Sequence, residues 1–141
     1  MASLTAGELH RLARKELGPT LVSLGFKRTP SSTLAAWLRA EGNQWLVLWV
    51  QPWQSAGSPG TGEFTIELRL SSRPETGGDG PRRRLPKLLS DAEREELRRN
   101  RWAATRSPDD LWFSQASEAD ARALMAFLAR ALPDAIHSFL G

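Results

Sequence analysis

The 141-residue sequence contains no cysteine and no tyrosine, and it has only two histidines and two methionines. Without a thiol there is no disulfide framework, no cysteine-based zinc finger, no thiol nucleophile and no thiol redox switch. Long apolar runs are also missing near the start. The segment MASLTAGELHRLARKEL has no stretch of seven or more apolar residues behind a basic start, so it reads as neither a signal peptide nor a membrane span, and the cytoplasm is the expected compartment. The fold must therefore rest on burial alone. A mass of 15.6 kDa with 40% hydrophobic and 25% charged residues suits one core, so a single domain over residues 1–141 is expected.

Against these absences stand six tryptophans and an arginine-heavy basic complement, 16 Arg to 3 Lys. The net charge of +3 and pI of about 10.2 say less than the distribution. Between Arg82 and Arg106 lie Arg82, Arg83, Arg84, Lys87, Arg94, Arg98, Arg99, Arg101 and Arg106, opposed only by Asp91, Glu93, Glu95 and Glu96. That stretch is strongly positive, and the rest of the chain is slightly negative.

Periodicity places the elements. Thr5 and Glu8 have capping-box spacing, and Leu9, Leu12, Ala13, Leu17, Leu21 and Leu24 follow at helical intervals. Gly18-Pro19 predicts a kink or break, and Gly25 a left-handed helix end. The period then changes to two. Thr33–Ala40 and Gln44–Trp53 predict a hairpin closed by the three residues Glu41-Gly42-Asn43, with Ala40 opposite Gln44, Arg39 opposite Trp45 and Trp37 opposite Val47. A loop over 55–62 leads to a third strand, Glu63–Leu70, and 71–81 predicts another loop. Ser90 with Glu93 starts a charged helix over 91–101, 110–114 is a candidate fourth strand, and Ser117 with Asp120 starts a last helix in which Pro133 predicts a kink or restart. Helices at both ends with strands between them imply an α+β two-layer sandwich, an antiparallel sheet of three to four strands with the terminal helices on one face.

The second hairpin strand is apolar on both sides, with Leu46, Leu48 and Val50 on one and Trp45, Val47, Trp49 and Trp53 on the other. Helices over the aliphatic side leave the indoles opposite, where the expected register adds Trp37, Arg39, Glu67 and Arg69. This group is the candidate ligand- or partner-binding surface. The competing reading is structural: Trp45 and Trp49 packed under 71–84 or the helix after Ser90, with Arg39 stacked on Trp45. The second candidate is the basic patch of Arg82, Arg83, Arg84, Arg98, Arg99 and Arg101, which would suit phosphates. Pairing of Glu93, Glu95 and Glu96 with Arg98 and Arg99 at helical spacing would neutralise part of it.

Catalytic signatures are few. His10 and His137 each stand alone on an expected helix and read as surface or cap residues, and no metalloprotease, phosphate-loop, nucleophile-elbow or dinucleotide motif occurs. Glu63 and Glu67 share a strand face, with Asp109 and Asp110 elsewhere; they suit a hard cation or an acid-base pair, but beside Arg69 an ion-pair ladder is the simpler reading. The sequence leans away from an enzyme, with no cofactor and no metal expected.

The order of motifs resembles the bacterial family called domain of unknown function 4304. The likeness runs through Leu24-Gly25-Phe26-Lys27-Arg28, a Trp-containing strand passing into Gln51, a Ser/Gly loop, Phe64-Thr65-Ile66, Trp112 and Ala131-Leu132-Pro133. It covers most of residues 6–140 and implies an α+β fold without an assigned chemistry. The leading functional expectation is a non-enzymatic partner-binding protein of immunity, regulatory or accessory type. A small-molecule ligand in a Trp-lined pocket ranks second, nucleic acid through the arginines third, and a membrane is not expected. An edge position for the first hairpin strand would let it pair across a dimer two-fold.

Overall fold

The computed structural model describes residues 4–29, 35–52, 63–73, 80–107 and 110–141. In chain order it forms α1 (Ala6–Glu16), α2 (Gly18–Ser23), β1 (Lys27–Arg28), β2 (Ala35–Glu41), β3 (Gln44–Pro52), β4 (Phe64–Ser71), β5 (Arg82–Arg84), a 3-10 turn (Leu85–Leu88), α3 (Asp91–Arg99), β6 (Ala103–Ser107), β7 (Asp110–Phe113) and α4 (Glu118–Leu140). The class is α+β, as expected. The sheet is larger than expected, with seven antiparallel strands in the order β1-β2-β3-β4-β7-β6 and β5 alongside β4. The outer edge of β4 is shared, with β5 against Glu67–Arg69 and β7 against Phe64. Strands β1, β5 and β6 have two, three and five residues, too few for alternation to mark them in a sequence.

The helix ends follow their local chemistry. Thr5 Oγ1 accepts from the Glu8 amide at 3.2 Å while Glu8 Oε1 accepts from the Thr5 amide at 3.0 Å, and Leu4 and Leu9 on either side of this box are both buried, as in a hydrophobic staple. The Thr5 amide and hydroxyl hold the Glu8 carboxyl below its ordinary pKa. Pro19 occupies the first turn of α2, so the Gly18-Pro19 step separates two helices. Ser90 and Glu93 close a second box at α3. At α4, Ser117 caps the Asp120 amide, but the Asp120 carboxylate turns elsewhere, accepting from the Ala116 amide at 2.9 Å and from Trp102 Nε1 at 2.7 Å. That indole bond ties the entry of β6 to the start of α4. Pro133 neither ends nor restarts α4. It sits on the exposed side, while Ala121, Leu124, Leu128, Ala131, Leu132, Ala135 and Ile136 hold the other side in the core. Helix α4 meets the length and hydropathy of a membrane span, but its apolar stripe is already committed to the core.

The hairpin register differs from expectation by one residue. Glu41 pairs with Gln44, so the turn is the two residues Gly42-Asn43. Gly42 has a φ of 61° and Asn43 stays outside the positive-φ region, the pattern of a type II′ turn with glycine first. Because side chains alternate, one step of register moves every β2 side chain to the other face. Trp37 therefore pairs with Leu48 and Arg39 with Leu46. The first hairpin strand is also not a free edge, since Lys27 and Arg28 pair with Leu38 and Trp37.

One face of the sheet (Ala35, Trp37, Leu46, Leu48, Val50, Phe64, Ile66, Leu68, Phe113) shares a single apolar core with the helices. All the buried apolar residues of α1 to α4 fall in it. Three buried apolar residues do not: Ala36, Val47 and Trp112. All three belong to the opposite face.

Two helices end in the same motif. After α2, the Phe26 amide bonds Leu21 O at 3.0 Å and the Gly25 amide bonds Val22 O at 3.0 Å; after α3, Trp102 bonds Leu97 O at 2.8 Å and Arg101 bonds Arg98 O at 3.1 Å. Both are Schellman ends with a buried apolar pair, Phe26 with Leu21 and Trp102 with Leu97. The residue in left-handed conformation is Gly25 at φ 92° in the first and Arg101 at φ 61° in the second. An L residue there costs about 1 kcal/mol, part of which glycine's greater unfolded-state freedom offsets. Arg101→Gly should raise stability by about 0.5 to 1 kcal/mol, or roughly 1 to 3 °C in Tm, by calorimetry; a loss of stability would contradict the assigned helix end.

Candidate functional site

The face opposite the core is built from cross-strand rows. Ala36, Trp49, Glu67 and Arg84 form one row across β2, β3, β4 and β5; Leu38, Val47, Arg69 and Arg82 form the next; Ala40, Trp45 and Ser71 a third. On the other side of Trp49, Gln51 pairs with Thr65, and Trp112 lies one step along from the Phe64–Phe113 pair. Alternation along β3 and β4 thus gathers Trp45, Trp49, Glu67 and Arg69 on one surface, as expected. It does not bring Trp37 or Arg39 there.

Those two residues are corrections. Trp37 is 2% exposed and packs in the main core. Arg39 is on the core side too, at its rim, where it works as a clamp. Its Nη1 donates to Leu24 O at 2.9 Å, its Nε and Nη2 both donate to Glu41 Oε2 at 3.1 and 3.0 Å, and its guanidinium lies 5.2 Å from the centroid of the Phe26 ring. The stacking partner is Phe26, not Trp45, because the type II′ turn turns Arg39 toward the end of α2. A Cβ on Gly25 would approach the Arg39 side chain to 3.3 Å, so glycine serves both the left-handed backbone and the clamp. Trp53 and Asp109 lie outside the described residues.

On the second face, burial is greater than an open recognition surface would show. Thr65 and Ser71 have no exposure, Val47 has 2%, Trp112 3% and Glu67 8%, whereas Trp45 and Trp49 are half-buried. Glu67 accepts from Arg69 at 3.2 Å, and Arg82 Nε stands at 3.8 Å from the same oxygen. This is the ion-pair reading of Glu67. Arg84 lies over the Trp112 ring at 5.1 Å, a contact outside the reach of sequence reasoning because β5 and β7 meet only through β4. Two polar atoms are buried without a hydrogen-bond partner, Trp49 Nε1 and Thr65 Oγ1, and they are diagonal neighbours across β3 and β4. An orphaned buried donor costs about 1 to 3 kcal/mol, so both atoms favour anything that brings an acceptor.

The basic segment divides. Arg84 belongs to the second face, and Arg82 reaches its rim. Arg94 is committed, donating to Pro86 O at 3.2 Å and pairing with Asp91 at 2.6 Å, which ties α3 to the 3-10 turn. Arg83, Lys87, Arg98, Arg99 and Arg101 are exposed. The expected neutralisation of Arg98 and Arg99 does not occur: Glu93 is occupied by the capping box, and among the described residues neither arginine makes an ion pair with Glu95 or Glu96. Of the histidines, His10 is buried at 8% rather than on the surface, and His137 is exposed. Among the described residues, no three His, Asp or Glu side chains are grouped as a metal ligand set.

No known protein family, curated protein or solved structure matches this chain.

Arg39→Ala should lower stability by about 1 to 2 kcal/mol in urea denaturation, the worth of partly exposed charge-assisted bonds. Glu41→Gln should lose part of the same amount and be non-additive with it. A neutral Arg39→Ala would remove the clamp.

Proposed function

We propose that this chain is a non-enzymatic binding protein, of immunity, regulatory or accessory type, that holds a protein partner through the Trp45–Trp49 side of its sheet. The observation that carries the reading is the position of these two indoles. They are two residues apart on β3, half-buried, on the face that the apolar residues of the helices do not reach. Indoles combine large apolar area with a polar handle and are enriched among the residues that dominate interfaces. Trp49 Nε1 itself is buried, so the indole presents a partner with apolar ring surface rather than with its donor. Leu38 supplies apolar surroundings above the buried Ala36 and Val47, and Gln51, Arg69 and Arg82 a polar rim. Trp37 and Arg39 have no part in it, which centres the site on β3. The resemblance to domain of unknown function 4304 is compatible with a binding role and assigns no reaction.

A small ligand is the second reading, favoured by the adjacency of Trp49 Nε1 and Thr65 Oγ1, which one acceptor group could satisfy together. The two readings separate by experiment. Tagged wild-type protein and a Trp45→Ala/Trp49→Ala variant, each verified as folded by circular dichroism, are used to capture partners from the native host. A partner that the wild type recovers, and that the double variant binds about 30-fold more weakly when purified, supports the proposal. Equal affinity of the two proteins for that partner would sink it. Thr65→Val tests the ligand reading, because it removes the hydroxyl at nearly constant volume. Selective loss of a small-molecule thermal shift in Thr65→Val, with partner binding unchanged, would move the site to the ligand reading.

A further inference from the structure

We infer that the carboxyl-terminal end of α3 is a second, separate binding surface, one that takes the phosphate backbone of a nucleic acid. Arg98, Arg99 and Arg101 are exposed within four residues of chain, and among the described residues none of them has an ion pair. The Arg94 bond to Pro86 O holds the helix against the 3-10 turn, which carries a further exposed cation, Lys87.

A second observation points the same way. The Schellman end of α3 puts Arg101 in the left-handed conformation, where the equivalent position after α2 is Gly25. The chain carries a strained arginine where glycine would be cheaper. Backbone strain of this kind persists where the side chain has work to do. Arg98 and Arg99 also complement the helix dipole, but Arg101 lies beyond the last turn, and dipole stabilisation does not explain it.

The chemistry favours nucleic acid over an acidic protein. A protein interface has an apolar centre inside a polar rim, whereas Leu97 and Trp102 beside these arginines are buried, and the one large hydrophobic side chain recorded as exposed among the described residues is Val22, on α2. Trp102 is turned inward to Asp120 and unavailable to stack on a base. What is left is a set of planar guanidinium forks, which match phosphate oxygens and read no sequence. Contact is therefore salt-dependent and sequence-independent.

The test is fluorescence anisotropy of the full chain against labelled oligo-U RNA, oligo-dT DNA and a DNA duplex, over a salt series, with Tm recorded for every variant. The wild type should bind at low salt with a log–log salt slope of roughly −2 to −3 on single strands. Arg101→Gly should reduce the magnitude of that slope by about 1 while raising Tm, a combination that a merely structural role for Arg101 would not produce. Arg98→Gln/Arg99→Gln/Arg101→Gly should weaken binding at least about tenfold at low salt, and Trp45→Ala/Trp49→Ala should leave it unchanged. No binding at low salt, variants that bind like the wild type, or equal competition by an acidic polypeptide of the same charge would each overturn the inference. None of these results bears on the Trp45–Trp49 partner surface.

Discussion

The two-residue turn at Gly42-Asn43 decides what every other residue of the sheet can do. Gly42 can hold a φ of 61° without a steric penalty, and the turn it makes has the twist of the strands it joins. That choice sets Glu41 against Gln44 and carries the alternation down β2. Trp37 then fills the core that β3, β4 and the helices share, and Arg39 reaches the end of α2. A three-residue loop would send both to the other side, leaving the core short of its largest side chain and the α2 end without its clamp.

The same alternation gives the molecule two kinds of buried layer. The first is apolar and continuous, built from helix stripes and one sheet face. The second mixes Ala36, Val47 and Trp112 with Thr65, Glu67, Arg69 and Arg84, and its charges are held in an ion pair and a cation–π contact. Polar groups in such a layer stabilise little, because removing them from water offsets most of the attraction. Their presence on this face supports the proposed binding role over packing alone.

Much of this was legible in the residues. The caps at Thr5, Ser90 and Ser117, the break at Gly18-Pro19, the left-handed Gly25 and the faces of β3 and β4 all follow from local chemistry and period, which act over a few residues. The α+β class followed from their order. The errors arose where a decision was not local. Two-residue and three-residue loops share the same Glu41-Gly42-Asn43 text, and the difference lies in the backbone angles. Strands of two or three residues, such as β1 and β5, exist because β2 and β4 have edges to fill. Pro133 survives within α4 because the packing of a long stripe outweighs one lost bond on the wet side. For the basic segment, the spacing of Glu95 and Glu96 from Arg98 and Arg99 allowed pairing, but Glu93 is held by Ser90 and the arginines point to solvent.

Since the chain has no cysteine of its own, its hairpin register can be read by disulfide trapping without interference. Ala40 and Trp45 are directly opposed, in the pair next to the one that closes the turn, where opposed Cα atoms approach closely enough for a bridge. The variant carrying Ala40→Cys and Trp45→Cys should oxidise quantitatively under mild conditions, while Arg39→Cys with Trp45→Cys, whose side chains lie on opposite faces, should remain reduced. Efficient bridging of the second pair and failure of the first would mean a three-residue loop, return Trp37 and Arg39 to the face of Trp45 and Trp49, and contradict the arrangement on which the rest depends.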